Sequence, residues 1–158
     1  MVDTEQPLLR LEKRPAVASF LLVGGQFLLL GYLALSGPVW PWASSAMILG
    51  AAAIILGLWA VGSMRWRHLR VFPEPRSDGS LVTAGPYRWI RHPMYTAVLL
   101  FGLALALNGP RLERWAVWVA LALVLILKLT REERLLLARF PAYAGYRQRS
   151  WRLVPWVY

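Results

Sequence analysis

Along the chain of 158 residues, polar positions crowd into a few short stretches, and between them lie four almost wholly apolar runs, at about 16–35, 39–64, 93–108 and 115–129. Lipid offers no partner to an unpaired backbone amide, so helices are the expected form. The first two runs are close to or above the roughly 20 residues that cross a bilayer. At ~1.5 Å per residue, the third and fourth fall short of a ~30 Å hydrocarbon core. Their ends must therefore carry polar residues near or into the membrane. The pattern predicts an all-α integral membrane protein with about four transmembrane helices and a C-terminal amphipathic, interfacial helical segment. It reads as one membrane domain over 1–158: an N-terminal segment (1–15), two spans (16–64), a connection (65–92), a helical hairpin (93–129) and a tail (130–158).

Composition agrees: 58% of residues are hydrophobic and only 16% charged, unlike an ordinary soluble domain. The chain has no cysteine, so disulfides and thiolate metal sites are excluded. Net charge is +10, and sixteen of the eighteen basic residues are arginine. Arginines placed between apolar segments suit anionic lipid headgroups better than nucleic acid, which is not an expected partner. Arg10, Lys13 and Arg14 precede the first run, and Arg65, Arg67, Arg70, Arg76, Arg88 and Arg91 fill the second connection. The positive-inside tendency puts both on the cytoplasmic side, with the tail and its six further arginines. The turn "NGPRLERW" then falls outside, although it holds Arg111 and Arg114. Trp40, Trp42, Trp66, Trp89, Trp115, Trp151 and Trp156 sit near run ends, as interfacial anchors do. Ala46, Gly50, Ala53 and Gly57 form a small-residue face that allows close helix packing.

Two stretches carry chemistry. In "GPYRWIRHPMY", residues 85–95, Pro93 suits the first turn of a helix, which leaves Arg91 and His92 at its positive end. Such a place attracts an anion, arginine offers a planar donor fork, and Tyr95 reaches the same place one turn further in. In "TREERLLLARFPAYAGYRQRSWRLVP", Glu132 and Glu133 stand just past the fourth run, where a carboxylate at the membrane edge needs a partner. Leu135, Leu136, Ala138 and Arg139 suit a helix along the membrane surface, and Tyr143 and Tyr146 share a face if the helix resumes after Pro141. A cationic cluster, two carboxylates and several aromatics at one membrane edge match a zwitterion bearing a third, sulfonium charge, as S-adenosylmethionine does. These residues equally suit a phospholipid headgroup or an amino acid.

Taken together in order and spacing, the G-P-Y, the R-H-P-x-Y, the glutamate pair and the later tyrosines and proline resemble the isoprenylcysteine carboxyl methyltransferase family and its relatives, the phospholipid N-methyltransferases. The resemblance covers about residues 81–155. It implies a multi-span membrane enzyme that takes S-adenosylmethionine on the cytoplasmic side and a lipophilic acceptor from the bilayer. By motif position it implies that Tyr87, Arg91, His92, Pro93 and Tyr95 line the cofactor pocket, with Glu132, Glu133, Tyr143 and Tyr146 closing it. Arg91 is expected on an anionic group of cofactor or acceptor, and Glu132 on the cofactor ammonium. Relatives often have F-G where this chain has Phe140-Pro141, and a proline where Trp151 stands.

The acceptor is a lipid or lipophilic small molecule. Carboxylate O-methylation is the favoured reaction and needs no general base, because the acceptor is ionised at neutral pH. Phospholipid or amine N-methylation is the alternative, and there Glu132, Glu133 or His92 would take the proton. A non-catalytic lipid-binding module explains the charge and the tryptophans but not the paired motifs. A metal or haem protein built on His68 and His92 has a poor ligand set, and no metal site is expected.

Overall fold

A computed structural model describes residues 15–38, 44–64 and 81–158. Five α-helices make up the described chain: α1 (Pro15–Leu35), α2 (Ser44–Ser63), α3 (Pro93–Leu107), α4 (Leu112–Arg139) and α5 (Ala142–Gln148), with a short 3-10 turn at Gly85–Arg88 before α3. The expected all-helical architecture is present; among the described residues the only β-type pairing is one isolated parallel bridge, Ile90 with Trp151. His68, Trp40, Trp42, Trp66 and the arginines at 10, 14, 65, 67, 70 and 76 lie outside the described residues.

Helix ends follow local chemistry. Proline opens both α1 and α3 at a position where its missing N–H costs nothing. Ser63 closes α2 with a 2.8 Å hydrogen bond from its hydroxyl to the Trp59 carbonyl. Asn108, Gly109 and Pro110 separate α3 from α4, and Pro141 stands between α4 and α5. Gly85 begins the 3-10 turn at φ +60°, and a Cβ there would lie 2.0 Å from the Ser63 hydroxyl oxygen. Only glycine fits both that dihedral and that close approach to α2.

Residues 17–35 and 45–63 are long and apolar enough to cross a bilayer, and only 22% of either stretch is buried. A core helix of a water-soluble protein would be mostly covered, whereas here Phe20, Leu21, Phe27 and Leu28 of α1 and Ile48, Ile54, Ile55 and Leu58 of α2 point outward. Such continuous apolar faces suit lipid. Helix α3 is apolar over its 15 residues. Helix α4, with 28 residues, is ~42 Å long and so exceeds a ~30 Å core. Leu135 to Arg139 continue this helix without a break as far as Pro141, as the absence of any break signal implies. A separate short helix, α5, follows, and its buried residues are Tyr143 and Tyr146.

Helix α2 packs most extensively on α3, and α1 on α4. The small-residue face of α2 is its buried face: Ala46, Gly50, Ala53 and Ala60 are covered, and a Cβ on Gly57 would sit 3.6 Å from that of Ala97. Between α3 and α4, Gly102 admits Leu121 so closely that a Cβ would lie 2.9 Å from its methyl carbon. Leu33, Leu105, Ala106, Leu121 and Leu125 form the apolar centre of the bundle.

Arg114 ties one end together. Its side chain is 1% exposed, and its guanidinium donates to the carbonyls of Leu33 (2.9 Å) and Leu105 and to the Ser36 hydroxyl (2.5 Å). The carbonyl ends of α1 and α3 are thus capped by one cation, which the negative end of a helix favours. This explains how an arginine belongs in a turn expected to face away from the basic side: its charge is consumed inside the bundle. Arg111, by contrast, is exposed and pairs with Glu113 at 3.7 Å. Arg114→Ala is expected to cost at least about 3 kcal/mol, since it removes three hydrogen bonds from a charged group, each contributing about 1.5 kcal/mol or more. Arg111→Ala should stay within about 0.5 kcal/mol. Thermal unfolding of both variants in detergent micelles measures the contrast.

Candidate functional site

The two sequence motifs meet where the tail returns over the start of α3. The Arg91 N–H donates to the Trp151 carbonyl (2.7 Å), the His92 N–H to that of Arg152 (3.1 Å), and the Trp151 N–H to that of Trp89 (2.9 Å). One turn into α3, the Thr96 hydroxyl donates to the Leu153 carbonyl at 2.8 Å. The Tyr146 hydroxyl donates to the Tyr87 carbonyl at 2.6 Å, so α5 is held against the 3-10 turn as well. Two backbone donors that the sequence offered to an anion are therefore spent on the protein's own tail.

Glu133 is the centre of this junction. Its side chain is 3% exposed; Oε1 accepts from Arg91 Nε at 2.7 Å, and Oε2 accepts from Arg152 Nε at 3.0 Å with Arg152 Nη2 at 2.9 Å. Arg91 Nη1 continues to the carbonyls of Arg147 (3.1 Å) and Ser150. Burial pushes the Glu133 carboxyl up, but the adjoining His92 imidazole and Arg91 guanidinium more than offset it and hold the group at about 2. Arg152 also donates to the Tyr158 hydroxyl at 2.7 Å. Charge-assisted pairs of this kind are stable in a buried place only when every partner stays bonded.

Glu132, its neighbour, is in a different position. Its side chain is 28% exposed, and Oε2 accepts a 2.9 Å hydrogen bond from the Tyr95 hydroxyl and lies 3.7 Å from His92 Nδ1. The His92 and Tyr95 rings stack, with centroids 5.4 Å apart and planes 8° off parallel. His92 Nε2 is 3.4 Å from Glu133 Oε1 without hydrogen-bond geometry, and it is buried with no hydrogen-bond partner. The Tyr143 hydroxyl is likewise buried and unpartnered. The Tyr143 and Tyr146 rings meet edge to face at 5.8 Å, so the two share a face as their spacing predicts. Burial raises the Tyr87 and Tyr143 hydroxyls, with the nearby glutamates adding to it, and pushes Tyr146 up to about 12. These phenols stay protonated and act as donors or as ring faces.

Of the residues singled out by sequence, Arg91, His92, Tyr95, Glu132 and Glu133 come together directly, Pro93 is buried at the first position of α3, and Tyr87, Tyr143 and Tyr146 pack around them. Sequence reasoning missed Arg152, the second cation on Glu133, and Ser150, whose carbonyl accepts from Arg91. It also passed over Lys128, a lysine inside the fourth apolar run, and Gln26, inside the first, which hydrogen-bond at 2.9 Å. A polar residue within an apolar run was the signal available for both.

The depressed Glu133 carboxyl has a pH consequence. Its folded value lies below the ordinary 4.5, so the stability it contributes is complete above that pH and is lost as the pH falls toward about 2. With allowance for solvent screening on the Arg152 side, the contribution is about 2 kcal/mol. Glu133→Gln should lower stability at neutral pH by about that amount and flatten the decline between pH 4.5 and 2, as measured by acid titration of the thermal midpoint.

Comparison with known proteins bears on the whole of this region. The family model for phospholipid methyltransferase matches residues 42–142, which includes α2, α3, α4 and both glutamates. The cobalt-zinc-cadmium resistance protein CzcN of Cupriavidus metallidurans is 34% identical over 110 residues, covering 67% of this chain and 48% of its own length. The chain thus spans about half the length of that curated relative. The matched region takes in the R-H-P-x-Y start of α3 and the glutamate pair of α4, the two elements that the tail locks together, and on this ground the chain belongs to the phospholipid methyltransferase family.

Proposed function

We propose that the protein transfers a methyl group from S-adenosylmethionine to a lipophilic acceptor at the cytoplasmic membrane face, with carboxylate O-methylation as the reaction. Family membership supports membrane methyl transfer. In this reading α3 and α4 complete a four-span bundle with α1 and α2.

The observation that carries the cofactor assignment is the unequal use of the two glutamates. Glu133 is saturated by Arg91 and Arg152, whereas Glu132 is partly open and has one hydrogen-bond donor, the Tyr95 hydroxyl. Glu132 is thereby the carboxylate left to receive an ammonium. The Tyr143 hydroxyl is a buried polar atom without a hydrogen-bond partner, and such an atom is costly unless something bonds to it. An acceptor atom on the ligand fits it. The stacked His92–Tyr95 pair and the rings of Tyr87 and Tyr146 supply faces for a cation or a flat base. The residues therefore fit S-adenosylmethionine, which supplies a methyl group activated on a sulfonium sulfur.

Within this scheme Arg91 has its Nε and Nη1 committed to Glu133 and the tail, so it acts by positioning the site rather than by taking an anionic group itself. The chain's task is alignment of acceptor and donor and exclusion of water. An acceptor carboxylate oxygen forms the new bond to the methyl carbon as the carbon–sulfur bond breaks, and the sulfur keeps the electron pair. No proton has to move. The relative's name refers to metal resistance, but among the described residues no group of three or more His, Asp or Glu is placed to hold a metal ion.

Calorimetry on the purified protein tests the cofactor. Saturable binding of S-adenosylmethionine and S-adenosylhomocysteine is expected, weakened about tenfold or more, or about 1.4 kcal/mol, by Glu132→Ala. Undiminished binding in that folded variant would remove Glu132 from the role. Tyr143→Phe separates binding from folding: deleting a hydroxyl that has no partner should leave the thermal midpoint unchanged or raised while weakening cofactor binding several-fold.

A further inference from the structure

Residues 153–158 fold into a closed turn just past Arg152. It meets the candidate site through the Leu153 carbonyl and the Tyr158 hydroxyl, and the rest of it has no part there. The N–H groups of Leu153 (2.8 Å) and Val154 (3.0 Å) donate to the Tyr158 carbonyl, and those of Val157 (3.2 Å) and Tyr158 (3.0 Å) donate to the Val154 carbonyl. Pro155 has no N–H to satisfy. Trp156 holds φ +63°, a left-handed conformation that a bulky residue keeps only where its surroundings fix it. Its ring lies 5.3 Å from that of Trp151. The turn is thus well defined, yet Trp156 is 83% exposed and Val157 78%, with Val154 exposed beside them. An outward-facing apolar turn whose backbone groups are bonded internally is suited to lipid.

The level of this turn relative to a bilayer follows from α2. Residues 45–63 are long and apolar enough to cross, so Ser63 marks a membrane edge. Trp59, four residues or ~6 Å before it, lies where tryptophan anchors a span. Gly85 packs on Ser63, and the Trp59 and Trp89 rings meet edge to face at 6.0 Å, which brings the 3-10 turn to the same level. The Trp151 N–H donates to the Trp89 carbonyl at 2.9 Å, and Trp151 in turn meets Trp156. Four tryptophans from three segments therefore make one contiguous patch. From that edge α3 runs back along α2, with Ala97 beside Gly57, and the Leu153 carbonyl accepts from Thr96 one turn inside α3. The turn thus starts no further out than the membrane edge. Arg88, exposed and 5.9 Å from the centre of the Trp89 ring, adds a cation suited to lipid phosphate.

We propose that residues 153–158 are an interfacial anchor: the turn seats Val154, Trp156 and Val157 in the headgroup and upper acyl region of the membrane face at which α2 ends, with lipid as the partner. This goes beyond the methyl-transfer reading and needs only that α2 crosses the bilayer. Lipid is favoured over a protein partner because the patch continues the aromatic edge of a span and combines amphipathic tryptophans with a flanking arginine, the make-up of a membrane interface. The anchor bears on the site through its neighbours. Arg152 holds Glu133, and Leu153 holds Thr96, so a turn seated in lipid fixes the tail at the junction from outside as the ion pairs fix it from within.

The chain has no cysteine, so a single introduced one reports its own position without any native residue being removed. Nitroxide labels are attached at Val157→Cys and, as a lipid reference, at Ile55→Cys on the outward face of α2, each in the full chain in nanodiscs of equal parts phosphatidylcholine and phosphatidylglycerol. Power saturation compares collisions with oxygen, which concentrates in lipid, and with a nickel chelate, which stays in water. A turn seated ~5–10 Å into the interface should give residue 157 an oxygen-to-nickel ratio about threefold or more above that of a water-soluble nitroxide, on the side of the ratio at 55. A ratio at 157 no higher than that of the soluble nitroxide overturns the proposal. Protection of 157 from both reagents also overturns it, because a protein partner or a second copy then covers the turn. A water-like ratio at 55 overturns it through its premise, since α2 then does not cross. With the label kept at 157, Trp156→Ser should bring the ratio down toward the soluble value, and an unchanged ratio removes Trp156 from the anchor. Should the label at 157 lower the thermal midpoint, Val154→Cys gives the same readout. Binding of S-adenosylhomocysteine to the unlabelled protein bears on the methyl-transfer reading alone, so the two readings fail separately.

Discussion

The double engagement of Glu133 by Arg91 and Arg152 is the interaction on which the candidate site depends. One arginine precedes α3, the other lies in the tail, and the carboxylate is on α4, so a single buried side chain fixes three segments distant in sequence. A carboxylate so buried would be untenable alone. With two guanidinium groups bonded to it, it becomes the anchor against which the tail, α5 and the 3-10 turn assemble. The backbone bonds of Arg91, His92 and Trp151 follow from that registration, as does the placement of Tyr146 on the Tyr87 carbonyl.

The bundle is closed at its other end by a different use of the same chemistry. There Arg114 takes carbonyls that the ends of α1 and α3 leave free, and no carboxylate is needed because helix termini supply the negative charge. In lipid, helix association cannot rely on expelling water from apolar surfaces, and small side chains and polar ties carry more of the burden. The buried small face of α2, the close approach at Gly102 and these arginine ties are what this protein offers in place of a water-driven core.

At the Glu133 end, adjacent glutamates have been given opposite tasks by their surroundings. Glu133 faces cations and is consumed by structure; Glu132 faces a phenol and remains partly open. The phenol in question, Tyr95, also presents its ring to Lys128. One aromatic residue therefore stands between an open carboxylate at the edge of the bundle and a buried cation within it.

Much of this was legible in the order of residues. The apolar runs and the prolines at 15, 93 and 141 fixed the existence, type and approximate limits of the helices, because in lipid the backbone has few alternatives and proline terminates or begins what it cannot continue. The paired motifs pointed to Arg91, His92, Tyr95 and the two glutamates as neighbours before any coordinates, and the spacing of Tyr143 and Tyr146 placed them on one face. What sequence could not assign was the work of each charge. That Arg114 is buried while Arg111 is exposed, that Glu133 is spent while Glu132 is open, and that Arg152 returns to α4 all depend on contacts between segments far apart in the chain. Local pattern determines a helix because its hydrogen bonds close within four residues. The state of a charged side chain depends on which distant groups share its low-dielectric surroundings, and only the tertiary structure brings those groups together.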